Sequence, residues 1–180
     1  MKSVADYDAA TLPPIPAGFE DVSHPIDACP SHFHPARNLS LYVDFADPAE
    51  REFPELPRFH LFRDDPETGA RTDFISSDDW TDVLAVLMGE LFADLFCEDM
   101  SPGVIATVRE RNASPRYAGS ICATHDFCDA NQVMADAFAQ TMGRDLIMGD
   151  DEPGQQDDFR LWGKAWDHAK THRLSDQVAA

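Results

Sequence analysis

The chain has 180 residues, of which 33 are acidic and 14 are basic, so its formal net charge is −19 with neutral histidines. This charge argues against direct, sequence-independent binding to nucleic acids or to anionic membrane surfaces, because both are polyanions. The hydrophobic fraction of 43% is too high for a wholly disordered acidic chain, and the length suits one domain.

No targeting or membrane segment is predicted. The N-terminal residues lack a basic start followed by an apolar run, so we expect no secretory signal. The longest apolar stretch, residues 83–96, contains Glu90 and Asp94 and falls short of the ~20 apolar residues of a transmembrane helix. Without export, the four cysteines are expected to stay reduced, and we predict a cytoplasmic location.

The first half of the chain favours strands. Residues 1–38 hold six prolines and three of the seven histidines, which predicts an extended arm or irregular wrap, because proline fixes φ and removes a donor. Apolar alternation at 39–45 predicts a half-buried strand. The runs 58–63 and 70–75 flank turn residues, as in a hairpin with a long loop, so we expect about three antiparallel strands.

The second half favours helices, because its apolar residues recur at helical spacing. Ser76 or Ser77 is predicted to cap a first helix. A second helix is expected over about 124–142, with Gly143 as its left-handed C-terminal cap, and a third over about 155–172.

The pattern therefore predicts an α+β fold, in which a small antiparallel sheet of about three strands packs with about three α-helices. The expected organisation is a Pro/His-rich arm at 1–38, a single domain at 39–174 and a flexible tail at 175–180.

Two short segments place cysteine and histidine close in sequence, and both side chains can ligate a metal ion. Neither segment has the paired spacing typical of tetrahedral zinc, so the cysteines can equally be small core residues and the histidines surface or capping groups. The alternative is a small metal-dependent enzyme or a metal-stabilised regulator that uses this Cys/His cluster, and the adjacent pair His125 and Asp126 gives the enzyme its hydrolase-like character. No resident cofactor is predicted, and the candidate ligands are Cys29, His32, His34, Cys122, His125 and Cys128.

Three polar or amphipathic side chains on the predicted helices are candidate pocket residues. Asn131 lies on or beside the apolar stripe of the second helix, where its amide needs hydrogen-bond partners. It either tethers a neighbouring backbone or contacts a ligand between helices. Trp162 and Trp166 are spaced four residues apart and are either core residues or part of the same pocket.

Acidic residues are unevenly distributed along the chain. Residues 64–99 contain eleven acids and one base, and residues 145–158 contain six acids and no base. If these acids share a face, they form an elongated negative surface that can compete for a basic protein surface. The alternative is that they only keep the protein soluble. The candidate partner-binding residues are Asp78, Asp79, Asp82, Glu90, Asp94, Asp150, Asp151 and Glu152.

Residues 120–138 and 158–170 resemble two segments of small acidic proteins from bacteriophages, plasmids and proteobacteria. That group has no assigned activity, so the resemblance assigns no role to any residue. It implies a mobile-element setting, in which modulation of a host protein is expected more than core metabolism.

The chain also lacks a phosphate-binding Gly-rich loop and a Gly-x-Ser-x-Gly elbow. We therefore predict a non-enzymatic acidic binding protein, in one form a nucleic-acid mimic that inhibits or modulates a basic host or defence protein. The metal-dependent enzyme is the first alternative, and a structural or assembly subunit is the second.

Overall fold

The computed structural model of the protein describes residues 2–99, 125–146 and 154–173, and the fold class is α+β, as predicted. Contacts within the chain divide it into two compact units, Met1–Val83 and Leu84–Ala180. The first unit contains the sheet, and the second contains most of the first described helix and the two later helices of the described residues.

Five antiparallel strands form the sheet within the described residues, and each pairs with its neighbours in chain order. The prediction of about three strands is too low, because the Pro-rich segment supplies two more. Its prolines at positions 30 and 35 flank a strand without entering it, so they leave the ladder intact. The strands are β1 (Glu20–Asp21), β2 (Ser31–His34), β3 (Leu39–Val43), β4 (Phe59–Asp64) and β5 (Arg71–Ser77).

Side chains alternate between two faces of the sheet, as the strand period requires. On one side of the sheet, hereafter the outer face, Tyr42 pairs with His60 and Ser40 pairs with Phe62 across β3 and β4. On the other face, hereafter the buried face, the core residues of β3 and β4 are apolar and fully buried: Leu39, Leu41, Val43, Phe59 and Leu61.

The N-terminal residues wrap around the first unit. The Arg58 guanidinium donates to the Thr11 carbonyl at 2.6 Å and to the Tyr7 hydroxyl at 3.2 Å. The Tyr7 ring lies 5.1 Å from the Phe45 ring, centroid to centroid. This part of the predicted arm is therefore an irregular wrap fixed to the sheet unit.

The α-helices in the described residues are α1 (Trp80–Asp99), α2 (His125–Met142) and α3 (Gln155–His168), and α3 continues as a π-helical turn, Ala169–Arg173. None of them is long and apolar enough to cross a membrane. Gly143 follows α2 with φ 66°, which confirms the predicted left-handed cap. The predicted cap of α1 is wrong, because β5 extends through Ser77 and Asp79 accepts the Thr81 N–H at 2.9 Å.

Glu90 was predicted as a partner-binding acid, which requires an exposed side chain, but the structure buries it. Its side chain is 1% exposed, and its Oε1 lies 3.0 Å from Nε2 of His168 on α3. A Cβ added at the neighbouring Gly89 would lie 2.6 Å from the Ala165 carbonyl oxygen, so α1 and α3 approach closely here. The carboxylate is buried because a histidine on the facing helix satisfies it, which the pattern of α1 alone cannot reveal.

Candidate binding groove

A loop, residues 44–58, forms one wall of a groove on the outer face. A buried arginine fixes the conformation of this loop. Arg51 has only 5% of its side chain exposed, and its Nε and Nη1 donate to the carbonyls of Phe45 at 2.8 Å and Leu56 at 2.7 Å. The same Nη1 lies 3.2 Å from a carboxylate oxygen of Asp78. These contacts satisfy loop carbonyls that lack strand partners, so Arg51 fixes the path of the loop.

The loop carries apolar side chains that stand over the sheet. Phe53 is 50% exposed and Leu56 is 43% exposed, although both are large and hydrophobic. Together with Tyr42 and Phe62 on the sheet, they line an open groove of about 400 Å³. Exposed apolar side chains grouped around a concave surface are typical of a binding site.

One part of the groove is negatively charged. Asp27, Asp44 and Glu52 line it together with the thiol of Cys29. Burial, and after it the charges of Asp44, Asp27 and Glu52, raise the pKa of Cys29 to about 12. The thiol therefore stays protonated at neutral pH, which makes it a poor nucleophile and a poor metal ligand.

Arg71 occupies another part of the groove. Its guanidinium carbon lies 5.4 Å from the ring centroid of Tyr42 and 5.2 Å from that of Phe62. Its Nε donates to Asp64 at 2.9 Å, and Asp64 also accepts a hydrogen bond from the Ser40 hydroxyl. The hydrogen bond to Asp64 raises the pKa of Arg71, so Arg71 stays charged and its charge is paired with Asp64.

His60 lines the groove, but both of its ring nitrogens are engaged. Nε2 lies 2.8 Å from the Pro57 carbonyl oxygen, and Nδ1 lies 2.8 Å from the Ser76 hydroxyl. A carbonyl only accepts, so Nε2 carries the proton, and in the neutral ring Nδ1 accepts from Ser76. The ring is also stacked parallel to Phe62, so His60 serves to build the floor of the groove.

The structure separates the N-terminal metal candidates. Cys29 lines the groove on the outer face, whereas His32 is paired with Leu41 and His34 with Leu39, on the buried face. His32 is 6% exposed, and His32 Nε2 and His34 Nδ1 have no hydrogen-bond partner among the described residues. No group of three or more potential metal ligands occurs within the described ranges.

The other metal and pocket candidates are only partly described. Cys122 lies outside the described residues, and His125, Cys128 and Asn131 lie in α2 with side chains that are also outside them. Within α3, Trp162 is buried, and its Nε1 has no partner in the part of the chain that the structure describes. The Trp166 ring lies 5.1 Å from the Phe92 ring and packs between helices.

The predicted partner-binding acids mostly have structural contacts. Asp78 accepts the Arg58 backbone N–H at 2.9 Å, and the Asp82 carboxylate accepts from the Ser77 hydroxyl at 2.7 Å. Asp79 caps α1, Glu90 is buried and Asp94 is half-buried, while Asp150, Asp151 and Glu152 lie outside the described residues. The described acids of α1 therefore do not form one continuous exposed row.

Sequence reasoning missed the groove. The sequence feature that could have indicated it is the adjacent pair Glu52 and Phe53 in a Pro-rich loop. Phe53 belongs to no alternating or helical apolar pattern, so the sequence gives no reason to place this aromatic side chain in the core. The loop path depends on Arg51, and no local pattern predicts that an arginine is buried.

Comparison of the chain with protein-family models, with curated proteins and with solved structures gives no match.

Proposed function

We propose that the protein is a non-enzymatic acidic binding protein, and that its groove holds a basic segment of a partner protein. The observation that carries this proposal is the groove itself, in which exposed apolar side chains and three carboxylates share one concave surface. An apolar lining favours the hydrophobic parts of a peptide, and the carboxylates favour its basic side chains.

Both the net charge of the protein, which acts at long range, and the Glu52 carboxylate, which acts at short range, favour a basic partner. The net charge of −19 attracts a cationic protein at long range and speeds encounter. At short range, Glu52 is exposed and makes no hydrogen bond or ion pair with any described residue. Its carboxylate is therefore available to a partner without breaking an internal contact.

The groove supports this function better than a row of acids along α1 does. A nucleic-acid mimic needs exposed charges at regular spacing, and in α1 the buried Glu90 interrupts such a row. In the mobile-element setting that the resemblance implies, we propose that the basic partner is a nucleic-acid-binding protein of the host. The acidic protein would compete with nucleic acid because its groove holds a basic segment of that partner. It would not need to imitate the regular charge spacing of a duplex.

The test is titration of isotope-labelled protein with a short peptide that alternates basic residues and leucine, followed by amide chemical shifts. We expect saturable shifts confined to the groove, at residues such as Cys29, Tyr42 and Phe53, and weaker binding as salt increases. A peptide with glutamate in place of the basic residues is the control. No shifts with the basic peptide, or shifts scattered over the surface, would contradict the proposal.

A further inference from the structure

We propose that the group bound at the acidic part of the groove is the guanidinium of an arginine, which stacks on Phe53 and pairs with Glu52. This inference rests on the function proposed above and specifies the residue that the groove recognises.

Among the residues that the structure describes, no cation pairs with the acidic part of the groove. Asp27, Asp44 and Glu52 all act on the Cys29 thiol, and that thiol is neutral because its pKa is about 12. Among the described residues that line the groove, Arg71 is the one with a permanent positive charge, and it is held by Asp64. An incoming cation would therefore meet three carboxylates and no competing internal partner for Glu52.

Arg71 shows which chemistry this surface accommodates. Its guanidinium lies over the rings of Tyr42 and Phe62 and pairs with a carboxylate, so one arginine is already bound there by stacking and by charge. Phe53 and Glu52 are adjacent in sequence, both line the groove, and they offer the same two kinds of group, an aromatic ring and a carboxylate. The Phe53 ring is half exposed and makes no ring or cation contact with any described residue.

An arginine suits such a site better than a lysine. Its planar group stacks on an aromatic ring and presents parallel donors to a carboxylate, and it is more weakly hydrated than an ammonium. A lysine entering a partly apolar groove loses more hydration and cannot form the parallel pair of hydrogen bonds. The groove is therefore expected to discriminate between these two cations.

The experiment compares three labelled peptides that differ only at one central position, occupied by arginine, lysine or uncharged citrulline. Fluorescence anisotropy with the full chain is measured in about 150 mM salt, where general attraction to an acidic protein is screened beyond roughly 8 Å. We expect the arginine peptide to bind about tenfold more tightly than the lysine peptide and about thirtyfold more tightly than the citrulline peptide.

Two variants locate the site. Glu52→Gln should weaken binding of the arginine peptide about tenfold, and Phe53→Leu about fivefold, since each removes one of the two recognising groups. Both side chains are exposed, so neither change is expected to unfold the protein. Glu55→Gln is the matched control, because Glu55 is an exposed acid of the same loop that does not line the groove.

The possible failures are distinguishable. Equal binding of the arginine and lysine peptides, both weakened by Glu52→Gln, would overturn arginine recognition and leave the proposed function standing. Arginine-selective binding that ignores both groove variants, or that Glu55→Gln weakens equally, would overturn the assigned site. Failure of both cationic peptides to bind would overturn this inference and the proposed function together.

Discussion

At the scale of single residues, Arg51 connects the stability of the protein to its groove. It is a buried cation whose hydrogen bonds go to carbonyls of the loop that forms the wall. Replacing it with methionine keeps much of its volume but leaves these carbonyls without their donor and removes the cation beside Asp78. We expect Arg51→Met to lower the free energy of unfolding by about 3 kcal/mol in urea titrations.

The control for this prediction is Lys2→Met, which removes an exposed ion pair with Glu50 in the same unit. Exposed pairs contribute little, so a loss of less than about 1 kcal/mol is expected. The Arg51 variant should also bind the arginine peptide more weakly, because the loop no longer fixes Glu52 and Phe53. Equal losses for the two variants would show that Arg51 does not organise the loop.

The histidines of β2 make the stability of the first unit depend on pH. Burial lowers the pKa of His32, opposed by Asp21, and burial and Arg37 lower the pKa of His34. At a given pH near these pKa values, the unfolded chain therefore binds more protons than the folded chain. The contribution of these histidines to the free energy of unfolding is fully present above their ordinary pKa of about 6.5, and it decreases as pH falls below that value. Thermal unfolding between pH 7.5 and pH 5 checks this.

Variants separate these histidines from the other titrating groups. His32→Gln should flatten the dependence on pH, because it removes one of the two groups whose pKa burial lowers. His24→Gln, at an exposed histidine of the same segment, is the control variant. A wild-type stability that stays constant or increases from pH 7 to pH 5 would disprove the prediction.

At the scale of elements, Gly89 determines how closely α1 and α3 can pack. An added methyl group would lie 2.6 Å from the Ala165 carbonyl oxygen and 3.0 Å from the His168 ring. Because backbone must move to relieve the first contact, we expect Gly89→Ala to destabilise the protein by about 2–3 kcal/mol. It should also separate Glu90 from His168, which histidine NMR resonances report.

Gly163 provides the opposite control on α3. Apart from the chain neighbours and the backbone of its own helix, no atom of the described residues lies within 4 Å of a Cβ added there, so Gly163→Ala should stabilise the helix by up to about 1 kcal/mol. Destabilisation by both variants would point to a loss of helix geometry rather than to the close approach at Gly89.

Local sequence patterns predicted some of the helices and strands and missed others. Helix α2 and its Gly143 cap follow from local spacing, and the pairing of β4 with β5 follows from two apolar runs around a turn. Strands β1 and β2 were missed, because short strands between prolines carry little periodic signal. The buried Glu90 and Arg51 were missed for a related reason, since each depends on a partner distant in sequence.

At the scale of the whole molecule, the net charge of −19 opposes compaction. Screening this repulsion should stabilise the fold, and we expect an increase in Tm of about 5 °C between 20 mM and 500 mM NaCl, measured by circular dichroism. The double variant Glu55→Lys with Glu67→Lys, at two exposed acids, reduces the net charge to −15 and should show a smaller increase.

Sucrose, which is uncharged, serves to separate screening from general solvent exclusion, because its effect should be the same for both proteins. A Tm that ignores salt, or that rises equally in both proteins, would show that the acids are spaced too widely to repel one another. The attraction of a basic partner would then depend on the groove alone.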